Sequence, residues 1–360
     1  MKFLDLFAGI GGFRFGMESA GHECIGFCEI DKFARASYKA IHNTKGEIEL
    51  HDITAVSDEF IRGIGRVDII CGGFPCQAFS IAGNRRGFED TRGTLFFEIA
   101  RFASILRPKY LFLENVKGLL NHENGITFET IISTLDELGY NVEWEVLNSK
   151  DFGVPQNRER VFIIGHLRGE RTRRIFPLGG ENQSTSSQSV VKIGNVNPSG
   201  NGMNGEVYQA DGLAPTLTTN KGEGQKIAIK SNTIKQFGIL QPNFNQCGVV
   251  YETDGIAPTI RAYQGGGLEP KIIQRGHGYN QGGVHEIAPT LTSNSYHENN
   301  HLSFGYRIRK LTPRECWRLQ GFPDWAFDKA QEVNSNSQLY KQAGNSVTIN
   351  VIAAIAKELE

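Results

Sequence analysis

Short apolar runs alternate with helix-period segments through the first half of the chain. Lys2 to Phe7 has the length and character of a strand, and behind it Phe13, Met17 and Ala20 recur on one face of a helix. Cys24 to Glu29 predicts a second strand. Val67-Asp68-Ile69-Ile70-Cys71 reads as a buried strand that stops at Gly72-Gly73. An amphipathic helix follows from Leu95 through Leu106, then a strand over Tyr110–Leu113, a helix from Phe128 to Leu138, and strands over Val142–Leu147 and Val161–Ile164. Strand and helix in turn argue an α/β fold, whose chemistry sits on loops at the carboxyl ends of the strands.

Near Arg168 this rhythm stops. Arg168, Arg171, Arg173 and Arg174 make a small basic cluster, and Ser, Gln, Asn and Gly dominate to about residue 205. A unit then recurs three times: Gly205-Glu206-Val207-Tyr208 through Leu213-Ala214-Pro215-Thr216-Leu217, Gly248-Val249-Val250-Tyr251 through Ile256-Ala257-Pro258-Thr259-Ile260, and Gly283-Val284-His285 through Ile287-Ala288-Pro289-Thr290-Leu291. The unequal spacing marks duplication of a β-and-loop unit and not a solenoid. Helical order returns at Thr312-Pro313-Arg314-Glu315, where Thr caps and Pro takes the first turn. Gln342 to Val347 then introduces a closing apolar helix to Ile355, which needs the interrupted α/β domain as its partner face.

Length and charge narrow this picture only a little. A chain of 360 residues accommodates two domains, or one large domain with an insertion. The net charge of −1 gives no global electrostatic case for nucleic acid, so a DNA surface must come from local clusters of Lys and Arg. Six cysteines (24, 28, 71, 76, 247, 316) form no disulfide framework, and Cys24 and Cys28 lack a second ligand pair at zinc spacing. Reduced thiols in a cytosol and no metal are expected. No apolar run approaches a membrane span, and the first hydrophobic residues read as a strand and not as a signal peptide.

Several positions carry candidate chemistry. Ala8-Gly9-Ile10-Gly11-Gly12 is a glycine turn between strand and helix, which either lets the backbone approach a ligand closely or serves packing alone. Glu29, about twenty residues on, is either an acid that binds ribose hydroxyls or a solvated loop carboxylate; Asp52 is either an adenine contact or an N-cap or turn residue. Cys76, in Gly73-Phe74-Pro75-Cys76-Gln77, is either a nucleophile at a strand end or a buried structural thiol. Glu114 in Glu114-Asn115-Val116 ends a strand beside it, as a general acid raised by burial or as a structural carboxylate. Arg158 and Arg160 leave one face at spacing two, suited to carbonyl or phosphate contacts or to surface salt bridges. The charged, Gly-rich stretch from Gly83 to Thr91 is either a loop that closes over substrate or an ordinary surface loop.

Taken together, the ordered set Asp5 to Gly12, Gly73 to Gln77, Arg92 to Phe97, Glu114 to Val116, Gln156 to Arg160, Arg309 to Glu315 and Gly344 to Val347 closely resembles the DNA cytosine-5 methyltransferase family, in particular its compact bacterial members of the HhaI type. The resemblance covers nearly the whole chain. It implies a Rossmann-like catalytic domain over 1–167, completed by 306–360, with a smaller target-recognition domain over 168–305. It implies Cys76 as the nucleophile that adds to cytosine C6, with Pro75 and Gln77 beside it, Glu114 at ring N3, Arg160 on O2 and Arg158 as a second cation. The S-adenosyl-L-methionine pocket would use Phe7, Ala8, Gly9, Ile10, Gly11, Gly12, Glu29, Ile30, Asp52, Ile53, Gly73, Pro75, Leu95, Asn345, Ser346 and Val347.

The same resemblance implies double-stranded DNA as partner, a flipped-out target base, and a loop from about Gln77 to Thr91 closing behind it. DNA contacts would come from Ser80, Arg92, Gln246, Thr259, Arg261 and Tyr263. Ile30 departs from the aromatic residue of some relatives, which weakens stacking on adenine without removing the site; three repeat copies exist and Arg261 replaces a small polar residue, so the recognition sequence does not transfer. A monomer is expected, with a cognate restriction endonuclease acting separately if one exists. Competing readings are a nicotinamide-dependent oxidoreductase, a tRNA cytosine-5 methyltransferase and a catalytically idle DNA binder. The first gives no role to Pro75-Cys76, Glu114 or the paired arginines.

Overall fold

The computed structural model describes residues 1–75, 95–178, 189–195, 206–210, 212–217, 226–230, 236–239, 249–251, 272–274, 283–285, 300–301 and 306–360, with backbone only between 229 and 310. Two compact units are present. The first comprises Met1–Ser189, Leu213–Gly222 and Thr312–Glu360; the second comprises Val190–Gly212 and Glu223–Leu311.

The first unit is built on a seven-stranded sheet. Its strands are β1 (Lys2–Leu6), β2 (Glu23–Cys28), β3 (Ile48–Leu50), β4 (Ile69–Gly73), β5 (Tyr110–Val116), β6 (Tyr140–Asn148) and β8 (Glu159–Leu167), in the order β3-β2-β1-β4-β5-β8-β6; β7 (Gln156–Asn157) lies outside it. The first five run parallel, and β8 is antiparallel to both β5 and β6. This is a Rossmann-like, doubly wound arrangement. Its strand order reverses between β1 and β4, which leaves a crevice at their carboxyl ends.

Period-two alternation explains the two core layers. Leu4 and Leu6 enter one, with Ile61 of α3 (Asp58–Gly63), Phe96 and Phe102 of α4 (Leu95–Leu106), and Ile131 of α5 (Ile126–Glu137). Phe3 faces the other, with Phe13 and Met17 of α1 (Gly12–Ser19) and Val351, Ile352 and Ile355 of α9 (Ile349–Ala356). The closing apolar helix thus covers the face opened by α1. Between these, α2 (Lys32–Ile41) stacks Tyr38 on Phe27 at 4.1 Å. Three further helices precede α9: α6 (Pro313–Leu319), α7 (Asp324–Val333) and α8 (Asn336–Asn345). Thr312 and Glu315 form the capping box of α6.

The compact units divide later than the shift in composition at Arg168. Arg168 bonds Asp136 and Asn141, Arg173 pairs with Glu358, and Ile175 and Phe176 are buried in the α1/α9 layer. Arg168, Arg173 and Arg174 there serve as ties within the first unit. In the second unit a four-stranded sheet runs in the order 306–310, 226–230, 206–209, 192–195. No helix among the described residues is long and apolar enough to cross a membrane, and none of their acidic, His and Cys side chains cluster as a metal site.

One buried group stands out. Asp5, on β1 next to the glycine turn, is wholly buried, and neither carboxyl oxygen has a hydrogen-bond partner among the described residues. Burial pushes its pKa up to about 8, against the pull of Arg14 and aided by Glu29 and Glu18. A carboxyl raised in the fold is neutral where the unfolded chain is ionised, so stability falls as pH rises from the ordinary value of 3.8 towards about 8. Asp5→Asn removes that dependence. In urea denaturation the variant is expected to gain on the natural protein by more than about 1 kcal/mol between about pH 5 and pH 8; parallel stability curves would contradict this.

Candidate active site

A cavity of about 630 Å³ opens at the carboxyl ends of β1 to β5, at the reversal of strand order. One end is formed by the turn after β1. Gly9 and Gly11 have φ of 57° and 86°, and Phe7 shares the left-handed region at 58°. A Cβ at Gly9 would meet nothing within 4 Å, so this backbone stands open to a ligand. At Gly11 a Cβ would overlap the His42 ring. That ring lies under the turn between Phe15 and Tyr38. Burial, aided by Arg14, pushes its pKa down to about 3. His42 is therefore a neutral wedge that shapes the turn.

Acidic residues from the next two strand ends flank the turn. Glu29 accepts from Gly9 N at 2.8 Å and from Asp31 N at 2.7 Å, which fixes a largely buried carboxyl beside the glycines. Burial raises its pKa, against those two N–H bonds. Asp52 uses Oδ1 to cap the turn at Ile53–Ala55, bonding Thr54 N at 2.9 Å and Thr54 Oγ1 at 2.7 Å. Its Oδ2 has no partner among the described residues, so the cap and a ligand contact do not compete for one oxygen. Ile30, 68% exposed, offers apolar surface at the rim. Open glycine backbone, a fixed carboxyl and an apolar wall together fit an adenosine-sized ligand with a ribose diol.

The other end is polar and buried. Glu114 pairs in register with Gly73 across β4 and β5, and a Cβ on that glycine would stand 3.1 Å from Glu114 Oε2. Val116 lies opposite Arg160 across β5 and β8, so Glu114 and Arg160 are diagonal neighbours on one face. Arg160 Nε comes within 3.1 Å of Glu114 Oε1. Burial nevertheless raises the Glu114 carboxyl above its ordinary value, with Arg160 and Arg158 opposing. Arg158, 3% exposed, donates to the carbonyls of Ser346 at 2.8 Å, Gly344 at 3.3 Å and Leu217 at 3.4 Å. Burial pulls its pKa down first, then the neighbouring Arg160, with Glu114 opposing; a guanidinium so placed stays charged.

The expected residues divide into three groups. Phe7, Gly9, Ile10, Glu29, Ile30, Asp52, Ile53, Gly73, Pro75, Leu95, Glu114, Arg158, Arg160 and Asn345 line the cavity. Ala8, Gly11, Gly12, Ser346 and Val347 stand behind it: Ala8 packs with Phe27 and Tyr38, and Gly12 lies so close to Ser346 and Val347 that a Cβ would be 2.8 Å from each. Cys76, Gln77, Ser80, Arg92, Gln246, Thr259, Arg261 and Tyr263 lie outside the described residues, as does the stretch from Gln77 to Thr91.

Sequence reasoning gave Asn115 no role, although it stands in the Glu114-Asn115-Val116 motif. Its Nδ2 donates to Phe74 O at 2.8 Å and fixes the backbone just before Pro75 and Cys76. Thr216 and Leu217 of the first repeat unit also line the cavity. Ala214–Pro215 pairs with β7, and Thr216 Oγ1 donates to Asn157 O at 2.7 Å. The repetition of Ala-Pro-Thr was the available signal; its contact with Gln156–Asn157 was not.

The family model for C-5 cytosine-specific DNA methylases matches residues 1–360, and the chain belongs to that family. It is similar to the orphan methyltransferase M.SPRI of Bacillus phage SPR, at 35% identity over 100% of this chain and 97% of that protein. It is also similar to the type II methyltransferases M.HhaI of Haemophilus parahaemolyticus, at 37% over 99% and 93%, and M.HpaII of Haemophilus parainfluenzae, at 38% over 99% and 88%. The fold matches a solved structure of a Spodoptera frugiperda DNMT2 mutant with a TM-score of 0.59 at 20% identity, covering 99% of this chain and 98% of that one.

The glycine turn gives a direct test of this geometry. Gly9→Ala meets only the backbone cost of the left-handed region, about 1 kcal/mol, whereas Gly11→Ala adds overlap with His42 and is expected to cost roughly 2–4 kcal/mol. Urea denaturation of both variants measures the difference; equal losses would contradict it.

Proposed function

We propose that this chain transfers a methyl group from S-adenosyl-L-methionine to carbon 5 of a cytosine flipped out of double-stranded DNA. The observation that carries the reading is the buried Glu114 carboxyl, raised above its ordinary value while facing Arg160, in a cavity whose rim residue Pro75 is followed in sequence by Cys76. The cofactor would be held by the open backbone at Gly9, by Glu29 on the ribose, and by Ile30, Asp52 and Ile53 around adenine, with Leu95 and Asn345 completing the wall.

Cytosine C5 is a poor nucleophile until the ring is activated. The Cys76 thiolate forms a bond to C6, and the C5–C6 π pair moves onto C5 to give an enamine. Glu114, whose hold on its proton is strengthened by burial against the opposing arginines, donates to N3 as charge builds on the ring. Arg160 holds O2 by charge-assisted hydrogen bonds. Arg158, spent on three backbone carbonyls, keeps the segment before β8 seated against Gly344 and Ser346 and adds a second positive charge. When bound, S-adenosyl-L-methionine supplies an electrophilic methyl group and leaves as S-adenosyl-L-homocysteine. A base then takes the C5 proton, the C6–S bond breaks, and the thiolate is restored with the aromatic ring.

These groups cannot reach a cytosine stacked in a duplex, so the nucleotide leaves the helix at a cost of a few kcal/mol. The second unit, which carries the repeats apart from Leu213–Leu217, serves as the target-recognition part, and the biological role is restriction–modification or phage self-protection. Transfer of labelled methyl groups to unmethylated duplex DNA tests the reading, with transfer RNA as the parallel substrate. DNA is expected to be labelled and RNA not. Cys76→Ala is expected to lower the rate more than about 1,000-fold while leaving cofactor affinity within about twofold. Labelling of RNA alone, or an unchanged rate in the variant, would overturn the proposal.

A further inference from the structure

Residues 29–31, between β2 and α2, form the outer wall of the cavity. Asp31 is held from three directions. Its N–H donates to Glu29 Oε1 at 2.7 Å; its Oδ1 caps α2 by accepting from Phe33 N at 2.8 Å and Ala34 N at 3.4 Å; its Oδ2 accepts from Lys341 Nζ at 2.6 Å. The second oxygen of Glu29 accepts from Gly9 N. A polar chain therefore runs from Lys341 through Asp31 and Glu29 to the glycine turn, and all four residues line the cavity.

Lys341 reaches this wall from α8, 310 positions along the chain from Asp31. That helix has its own anchorage on α2: Gln342 Nε2 donates to Phe33 O at 3.1 Å, and Ser37 Oγ to Gln342 Oε1 at 3.0 Å. The ion pair is thus not what seats α8. It acts on the turn, whose Glu29 and Ile30 carbonyls are already held by Arg35 Nη1 at 2.7 and 2.8 Å.

We infer that the Asp31–Lys341 pair is a strap across the adenosyl end of the cavity, and that Lys341 is a positioning residue which holds Glu29 and Ile30 where the cofactor meets them. The inference rests on the cofactor reading given under the proposed function. A half-exposed ion pair usually contributes little, because two flexible side chains must be ordered to form it. Here Asp31 is ordered beforehand by the α2 cap, so the pair completes an arrangement that is already mostly fixed. Removing it is expected to weaken ligand affinity about three- to fivefold.

Calorimetric titration of the full chain with S-adenosyl-L-homocysteine, without DNA, tests the strap. The variants are Lys341→Met, Lys341→Arg, Asp31→Asn, which keeps a capping side chain, and the Met/Asn double variant. Each of Lys341→Met and Asp31→Asn is expected to weaken binding about three- to fivefold. The double variant should be no weaker than either single one, Lys341→Arg should restore affinity, and the deficit should shrink in about 0.5 M salt as the natural pair is screened. In steady state, KM for S-adenosyl-L-methionine should rise with kcat within about twofold. Weakening by Lys341→Met alone, or additive losses in the double variant, would mean that the ammonium acts on the ligand directly and would overturn the strap. Unchanged affinity in both single variants would overturn it as well. If the natural protein itself binds neither S-adenosyl-L-homocysteine nor S-adenosyl-L-methionine, the cofactor reading fails first, and the strap with it.

Discussion

A carboxyl buried beside two arginines sets the terms for the rest of the site. Glu114 is 8% exposed and stands within 3.1 Å of Arg160, yet burial outweighs the attraction and raises its affinity for a proton. Three strands must keep register for this to hold. β4 supplies Gly73, whose missing side chain leaves room for Oε2; β5 carries the acid; β8, running antiparallel, brings Arg160 in from the same edge. A one-residue slip of β8 would send Arg160 to the opposite face and leave the acid without its counter-charge.

The C-terminal segment finishes what the first half begins. Arg158 ties the approach to β8 onto the carbonyls of Gly344 and Ser346, Gln320 Nε2 donates to Ala343 O at 2.8 Å, and Thr348 Oγ1 stands 2.8 Å from Ser149 Oγ. The cavity is therefore walled by residues from both ends of the chain. The short run Leu213–Gly222 belongs to the same unit, and Arg158 also bonds Leu217 O. One guanidinium thus joins three stretches of chain that are far apart in sequence, and this explains why it is buried although its Nε has no partner among the described residues.

Much of this was legible because local pattern and final structure agree. The helix over Leu95–Leu106 was visible from periodicity and the α6 cap from Thr312 and Pro313. The α/β class followed from alternation alone, while the Rossmann-like form and the cofactor came from resemblance. Other features depend on partners distant in sequence. The polar composition around α7 and α8 hides two helices that pack on other elements, Phe327 against Trp317 and Gln342 against Phe33 and Ser37. The Arg168–Arg174 cluster looks like the start of a different domain, but its charges answer Asp136, Glu143 and Glu358, and Ile175 and Phe176 enter the core. Asn115 is an ordinary amide in sequence, and its bond to Phe74 O appears only when β4 and β5 lie side by side. Asp5 sits in an apolar run, and nothing local announces that it lacks a partner among the described residues.

The account depends on Glu114 holding its proton more tightly than an ordinary glutamate while facing Arg160. The direct measurement is the carboxyl carbon-13 shift of Glu114 in selectively labelled protein, assigned by its loss in Glu114→Gln and followed from about pH 3 to pH 9. The account predicts a midpoint above the ordinary value of 4.5. A midpoint at or below 4.5 would show that the arginines win over burial, and would contradict the acid's place in this chemistry.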